Sequence, residues 1–211
     1  MASYIVAGKR SPSTGIIVSY PKFTTHYGTH VSFTRGIWNP GTRTYDSDRL
    51  AVINVPVLKS HSIYGVTAAV KNYKGVVSGK LTRHNAHRSV ATGGMGTQMV
   101  ETRVPVLNVI DAIWINARPG NGPSTAYSNA VETNIIAASR DPVAIDTWAS
   151  INVLIPAAEK LGYSRTRPMN PLAESGSAFS RWLALSIEIA AVVNKAPACR
   201  VMILPWIGSF R

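Results

Sequence analysis

This chain has almost no cysteine and few acids. One thiol, Cys199, serves all 211 residues. A single thiol closes no internal disulfide and cannot supply the thiolate set of an iron–sulfur cluster. Cys199 reads as a small core residue beside a terminal strand. Long apolar runs are missing too. The most apolar stretch, Trp182–Val193, is interrupted by Glu188 and is too short to span a bilayer. The opening MASYIVAGKRSP lacks the basic region and apolar run of a secretory signal. No membrane partner and a cytoplasmic location are the resulting expectations.

Only 10 Asp and Glu stand against 22 Lys and Arg, a net charge of +12. The deficit is uneven: residues 1–100 hold 12 basic and 2 acidic side chains. A basic half attracts nucleic acid, anionic lipid or a phosphate-bearing small molecule, or else forms a solvated face. Hydrophobic residues at 45% and charged residues at 15% are a globular composition, not a disordered one. There is no Walker loop. TGGMGT, Thr92–Thr97, is glycine-rich, but it misses the dinucleotide fingerprint and precedes a strand candidate instead of following one.

What is present alternates strands with helices. The expected fold is a single α/β domain over 1–211, a layered sheet, mostly parallel or mixed, covered by helices. Residues 1–49 read as an irregular N-terminal part with short strands at Gly15–Tyr20 and His30–Arg35 and a turn at Pro40-Gly41. Leu50–Leu58 reads as a strand buried on both faces, with Pro56 at its end or at a bulge. Tyr64–Tyr73 has helical spacing, with Gly75 as its stop. Ser78–Gln98 reads as a long loop carrying His84 and His87. Val104–Ile113 is a second buried strand with Asp111 at its end, and a Gly/Pro loop follows over Ala117–Asn129. Thr133–Ala138 is a short strand. Asp141-Pro142 opens a helix to about Leu154, with Asp as cap and Pro at the first helical position. Residues 161–211 supply a helix over Ser177–Asn194, apolar nearly all round and so buried, and a strand over Arg200–Ile207.

Ligands of open α/β sheets bind beyond the carboxyl ends of the strands. Lys59 and His61 fall there on this reading, with Lys71 ten residues after His61. Asp111 takes the matching place on the second strand, with Asn121 and Ser124 in the loop beyond. An imidazole moves protons near neutral pH, and a lysine beside another cation is a nucleophile. A histidine pair such as His84 and His87 can hold a metal with other ligands. Each has a plainer reading. Lys59 is then a solvated strand end, His61 a helix cap, Lys71 an exposed helical residue, His84 and His87 loop residues, and Asp111 an acceptor for backbone amides.

The stretch INVPVLKSHSIYGVTAAVKNYKG, Ile53–Gly75, resembles the domain of unknown function 362: a proline-containing strand, then Lys59-x-His61, then Lys71-Asn72 and Gly75. VLNVIDAIWINARPGNGPS, Val106–Ser124, and AASRDPVAIDTWA, Ala137–Ala149, match that family's next two motifs in order. The resemblance covers about residues 46–160 and is clearest over 50–160. It implies Lys59, His61 and Lys71 as catalytic residues, and Lys71, Asn72, Asp111, Asn121 and Ser124 as binding residues. The chain reads as a fragment or short form, without an upstream α/β segment and without the ferredoxin-like part of many members. A more distant similarity is to the catalytic domain of nickel-pincer lactate racemase. It implies a proton-transfer His61, a covalent cofactor link at Lys71 and a nickel ligand at His84 or His87. The racemase glycines before its lysine are here Ala68, Ala69 and Val70.

The expected function is binding of an anionic small molecule or metal cofactor at the strand edge, with proton-transfer or redox-related chemistry. Two alternatives stand beside it. One is a non-catalytic assembly subunit, as a homo-oligomer or with a partner chain. The other is a nucleic-acid module in which Trp38, Tyr45 and Tyr73 stack on bases.

Overall fold

Two β-sheets organise the chain in this computed structural model, which describes residues 4–12, 14–76, 87–122, 127–173, 176–191 and 201–205. The first is an antiparallel meander of β1 (Tyr4–Arg10), β2 (Ile17–Thr24), β3 (His30–Ser32), β4 (Gly36–Asn39) and β5 (Thr44–Asp46), in that order. The segment expected to be irregular is therefore mostly strand. Its strands are short and its turns rich in Gly, Pro and Thr, which hides the period-2 signal. The Pro40-Gly41 turn is where expected, closed by the Asn39 side chain accepting the Gly41 N–H at 3.0 Å.

The second sheet has the order β11-β10-β9-β7-β8, with β6 also on β9. Its members are β6 (Ile53–Asn54), β7 (Val57–His61), β8 (Gly65–Thr67), β9 (Leu107–Asn116), β10 (Ala130–Ser139) and β11 (Val201–Pro205). β6 and β7 run parallel to β9; the other pairings are antiparallel. The sheet is thus mixed, as the sequence allowed. Pro56 splits the expected Leu50–Leu58 strand into β6 and β7, because it has no N–H for the ladder.

Five helices matter here: α1 (Ala69–Asn72), α2 (Gly94–Thr102), α3 (Pro142–Ala149), α4 (Ile155–Lys160) and α5 (Ala178–Ala191). The start of α3 is as read: Asp141 accepts the N–H groups of Val143 and Ala144 at 2.8 and 3.0 Å, and Pro142 follows it. A π-turn, Ser150–Leu154, joins α3 to α4, just before Pro156 removes an N–H from the helical ladder.

Helices cover one face of the second sheet. Leu58, Ile110 and Ala137 on that face pack with Val143, Ile145, Ala149 and Trp182 in one buried cluster. Leu58 and Ile110 are fully buried, and each such side chain contributes about 1.5–3 kcal/mol. The opposite face is apolar yet open among the described residues: Ile53, Val55 and Val57 are 58%, 60% and 47% exposed. Leu50–Leu58 was expected to be buried on both faces. Its odd-numbered residues instead face outward, and continuous apolarity could not show that. Over its described side chains, 178–186, helix α5 likewise buries one side. Phe179, Trp182 and Leu183 are buried, while Leu185 is 38% exposed.

TGGMGT proves to be a helix start that serves packing. Gly93 takes a left-handed φ of 76° ahead of α2, and a Cβ on Gly96 would lie 3.0 Å from the Ser186 Cα of α5. Part of the expected loop Ser78–Gln98 is thus helix. α2 also ties the two sheets together. The Gln98 amide accepts the Ser19 N–H at 2.9 Å and donates to the Ser19 carbonyl at 2.6 Å. Just past α2, Arg103 donates to the carbonyls of Phe33, Leu50 and Ser47.

Candidate functional site

The sequence places Lys59 and His61 just past a strand; the structure places them on it. β7 pairs with β8 through Lys59–Thr67 and His61–Gly65, so residues 62–64 form a tight turn. The expected helix Tyr64–Tyr73 is therefore a turn, then β8, then the short α1. Gly65 forces the difference. Its φ is 76°, and a Cβ there would run into the Pro168 carbonyl oxygen.

The turn is capped by His61 itself. Its Nδ1 accepts the N–H groups of Ile63 and Tyr64 at 3.1 and 3.2 Å. A ring nitrogen that accepts two amide protons carries none, so the imidazole proton sits on Nε2. Trp182 of α5 donates its Nε1–H to the Tyr64 carbonyl at 2.9 Å and holds the turn from beneath. The Gly/Pro loop closes over the other side. Gly122 accepts the Ser62 N–H at 2.9 Å, Ser60 Oγ donates to the Arg118 carbonyl at 2.6 Å, and a Cβ on Gly122 would strike the Ser60 carbonyl.

Lys71 meets this turn from α1. It is only 7% exposed, and its Nζ lies 5.7 Å from the Tyr64 ring centroid; that ring is 5.2 Å from the His61 ring. Burial, then the charges of Lys74 and Lys59, lower its amine to about 8. The Tyr64 ring offsets little of this. A cation–π contact is worth about 0.5–2 kcal/mol, against several for desolvating an ammonium. The exposed reading of Lys71 is thus overturned, and Lys59 is its electrostatic neighbour. Thr67, across the hairpin from Lys59, has a buried Oγ1 with no hydrogen-bond partner among the described residues. Directly opposed residues of a hairpin share a face.

Asp146 positions the helix that carries Lys71. Fully buried in α3, it accepts the N–H of Ala69 at 2.6 Å and of Val70 at 3.0 Å. Burial pushes its carboxyl up to about 8, against the pull of those two amides and with a further push from Asp141. Behind α1 runs a chain of amides. Asn72 donates to Asn54 Oδ1 at 2.8 Å, Asn54 to Asn108 Oδ1 at 2.9 Å and to the Ala69 carbonyl at 2.8 Å, and Asn108 to the Ser139 carbonyl at 3.3 Å.

The structure gathers Lys59, His61 and Lys71 but not every expected residue. Asp111 lies within β9, not at its end. Its Oδ1 accepts the Ile113 N–H at 3.0 Å, where β9 advances from Asp111 to Asn116 while β7 advances only from Val57 to Lys59. The plainer reading, an acceptor for a backbone amide, describes it. Asn72 is a link in the amide chain. Asn121 sits in the turn of the closing loop, its N–H on the Arg118 carbonyl at 3.3 Å. Ser124, His84 and Cys199 lie outside the described residues, as does the side chain of His87. No group of three His, Cys, Asp or Glu suited to a metal occurs among the described residues.

Comparison with known proteins decides the family. The domain of unknown function DUF362 matches residues 44–150, half of the chain, including the hairpin, α1, β9, β10 and α3. The chain belongs to the DUF362 family. This DUF362 chain is 36% identical over 103 residues to the "Thylakoid-associated protein sll1697" of Synechocystis sp.. That match takes in 47% of this chain and 31% of the relative, so the chain spans about a third of the relative's length. No solved structure matches. The racemase resemblance remains an expectation of the sequence.

Tyr64, Thr67, Asn54 and Asn108 were missed as contributors to the candidate site of this DUF362 chain. Asn54 alone gave a signal, as the one polar residue in an apolar run. Asp146, which accepts the two amides at the start of α1, supports the site through the α1 backbone. Of the aromatics offered for base stacking, Tyr73 is 2% exposed, and Trp38 and Tyr45 pack on each other at 5.1 Å. No helix among the described residues is long and apolar enough to cross a membrane.

Proposed function

We propose that this DUF362 chain binds an anionic small molecule at the β7–β8 hairpin, with Lys59, Lys71 and Lys74 as its charge partners. One observation carries the reading. Lys71 is nearly buried beside two further lysines, and among the described residues it meets an aromatic ring, not a carboxylate. Three amines gathered this way repel one another unless an anion joins them. The Thr67 hydroxyl beside Lys59, without a partner among the described residues, gives that anion a further hydrogen bond. His61, with its proton on Nε2, is the group suited to proton transfer in an enzymatic version of the site. A metal held by His84 and His87 rests on the sequence alone.

Thermal unfolding with oxalate or inorganic phosphate tests the reading. Either anion at millimolar concentration should raise Tm by several degrees, and Lys71→Met should abolish the shift. No shift, or an equal shift in the variant, overturns it.

A second reading, an assembly subunit, is favoured by the open apolar face at Ile53, Val55 and Val57. Sedimentation velocity should then show an oligomer that Val55→Lys dissociates. A monomer at high concentration removes this reading.

A further inference from the structure

The arrangement around Lys71 offers more than charge. A lysine that only binds anions works best fully protonated and well solvated. Lys71 is neither. It is 93% withdrawn from solvent, it sits against a ring face, and two amines crowd it. Burial and the two neighbouring amines favour the neutral amine, whose lone pair is a nucleophile. Half-neutral near pH 8, Lys71 carries about a hundredfold more free amine there than a solvated lysine. Its neighbours Lys59 and Lys74 are only half-buried and stay in contact with water. One buried amine with two more exposed lysines near it fits a ligand with a reactive carbon beside an anionic group.

We propose that Lys71 condenses with the carbonyl carbon of a small carboxylate-bearing aldehyde or 2-oxo acid, whose carboxylate is held by Lys59 and Lys74. This inference rests on the anion-site reading above and names its substrate class. The Nζ lone pair attacks the carbonyl carbon and forms a C–N bond, while the C=O π pair moves onto oxygen. The C–O bond then breaks. The oxygen leaves as water with the two amine protons, and a C=N bond remains. Amine and carbonyl go to imine and water, with no oxidant or other reactant. Thr67 Oγ1, buried and partnerless among the described residues, stands on the Lys59 side of the hairpin and supplies a hydrogen bond to the carboxylate.

The test uses the whole chain with glyoxylate as the probe and cyanoborohydride to trap the imine at pH 8, followed by peptide mapping. The expected result is one saturable adduct at Lys71, formed at least tenfold faster than at any other lysine. It should be absent from Lys71→Arg and at least fivefold slower in Lys74→Gln. Acetaldehyde, which has no carboxylate, should label Lys71 at least tenfold more slowly than glyoxylate. Even labelling over surface lysines in the wild-type protein overturns the proposal, and this outcome does not depend on a variant folding. Oxalate, which binds but cannot condense, separates the two levels. An oxalate-dependent Tm shift with no Lys71 adduct overturns the imine and leaves the anion site standing. Neither shift nor adduct overturns both.

Discussion

Asp146 accepts the backbone N–H of Ala69 at 2.6 Å, joining α3 to the first turn of α1 across 77 residues of sequence. With the matching bond from Val70 at 3.0 Å, it fixes where α1 begins and so where Lys71 points its chain. An α-helix of one turn has little stability of its own. This carboxyl stands in for the cap that Ala68 lacks.

Asp146→Ala should therefore leave two buried amides without an acceptor. At about 1–3 kcal/mol each, the loss is about 2–6 kcal/mol in urea unfolding. Anion binding should weaken with it, because Lys71 loses its platform. A loss below about 1 kcal/mol would show that α1 is held by other contacts.

The pH dependence of stability should have a minimum near pH 8. Asp146 has its carboxyl raised from 3.8 to about 8. The unfolded chain gives up that proton first, so the contribution is full at acid pH and is lost as pH rises towards 8. Lys71 has its amine lowered from 10.5 to about 8. Its contribution is full at alkaline pH and is lost as pH falls towards 8. Urea midpoints between pH 5 and 9.5 check both limbs. That range stops short of Tyr73, whose hydroxyl is raised by burial. Asp146→Asn should flatten the acid limb and Lys71→Met the alkaline one.

Gly122 and Gly65 should tolerate no side chain. A Cβ on Gly122 meets the Ser60 carbonyl, and one on Gly65 meets the Pro168 carbonyl at a left-handed φ of 76°. Gly65→Ala should cost at least about 2 kcal/mol in chemical denaturation. Gly122→Ala should displace the closing loop and weaken anion binding more than folding. Gly75→Ala, with open space at the Cβ, is the control and should stay within about 0.5 kcal/mol.

The Asn54–Asn108 pair should behave as a unit. Asn54 shares its amide between Asn108, Asn72 and the Ala69 carbonyl. Alanine at either position orphans buried partners of the other. A double-mutant cycle should return a coupling of about 0.5–3 kcal/mol, and strict additivity would show the two act separately.

Local chemistry made part of the fold legible. Asp141-Pro142 announces a helix because an acid caps free amides and proline needs no N–H. Pro40-Gly41 announces a turn for similarly local reasons. The candidate site was legible as a set of residue types, Lys59, His61 and Lys71, but not as a geometry. Tyr64–Tyr73 has helical spacing, yet Gly65 and the pairing with β7 make its first four residues hairpin, because a strand partner outweighs a weak helical pattern. The burial of Leu50–Leu58 was misread because an apolar run does not say which of its faces a helix will cover.

The sequence by itself determined the alternation of strands and helices, the excess of basic charge in the first hundred residues, and the family. These follow from residue type and short spacing. Only the tertiary structure decided that Lys71 is buried against Tyr64, that Thr67 keeps a hydroxyl beside Lys59 with no partner among the described residues, and that Asp146 holds α1. Each depends on distant segments packing together. Desolvation and hydrogen-bond partners are properties of that packing, not of the residues taken one at a time.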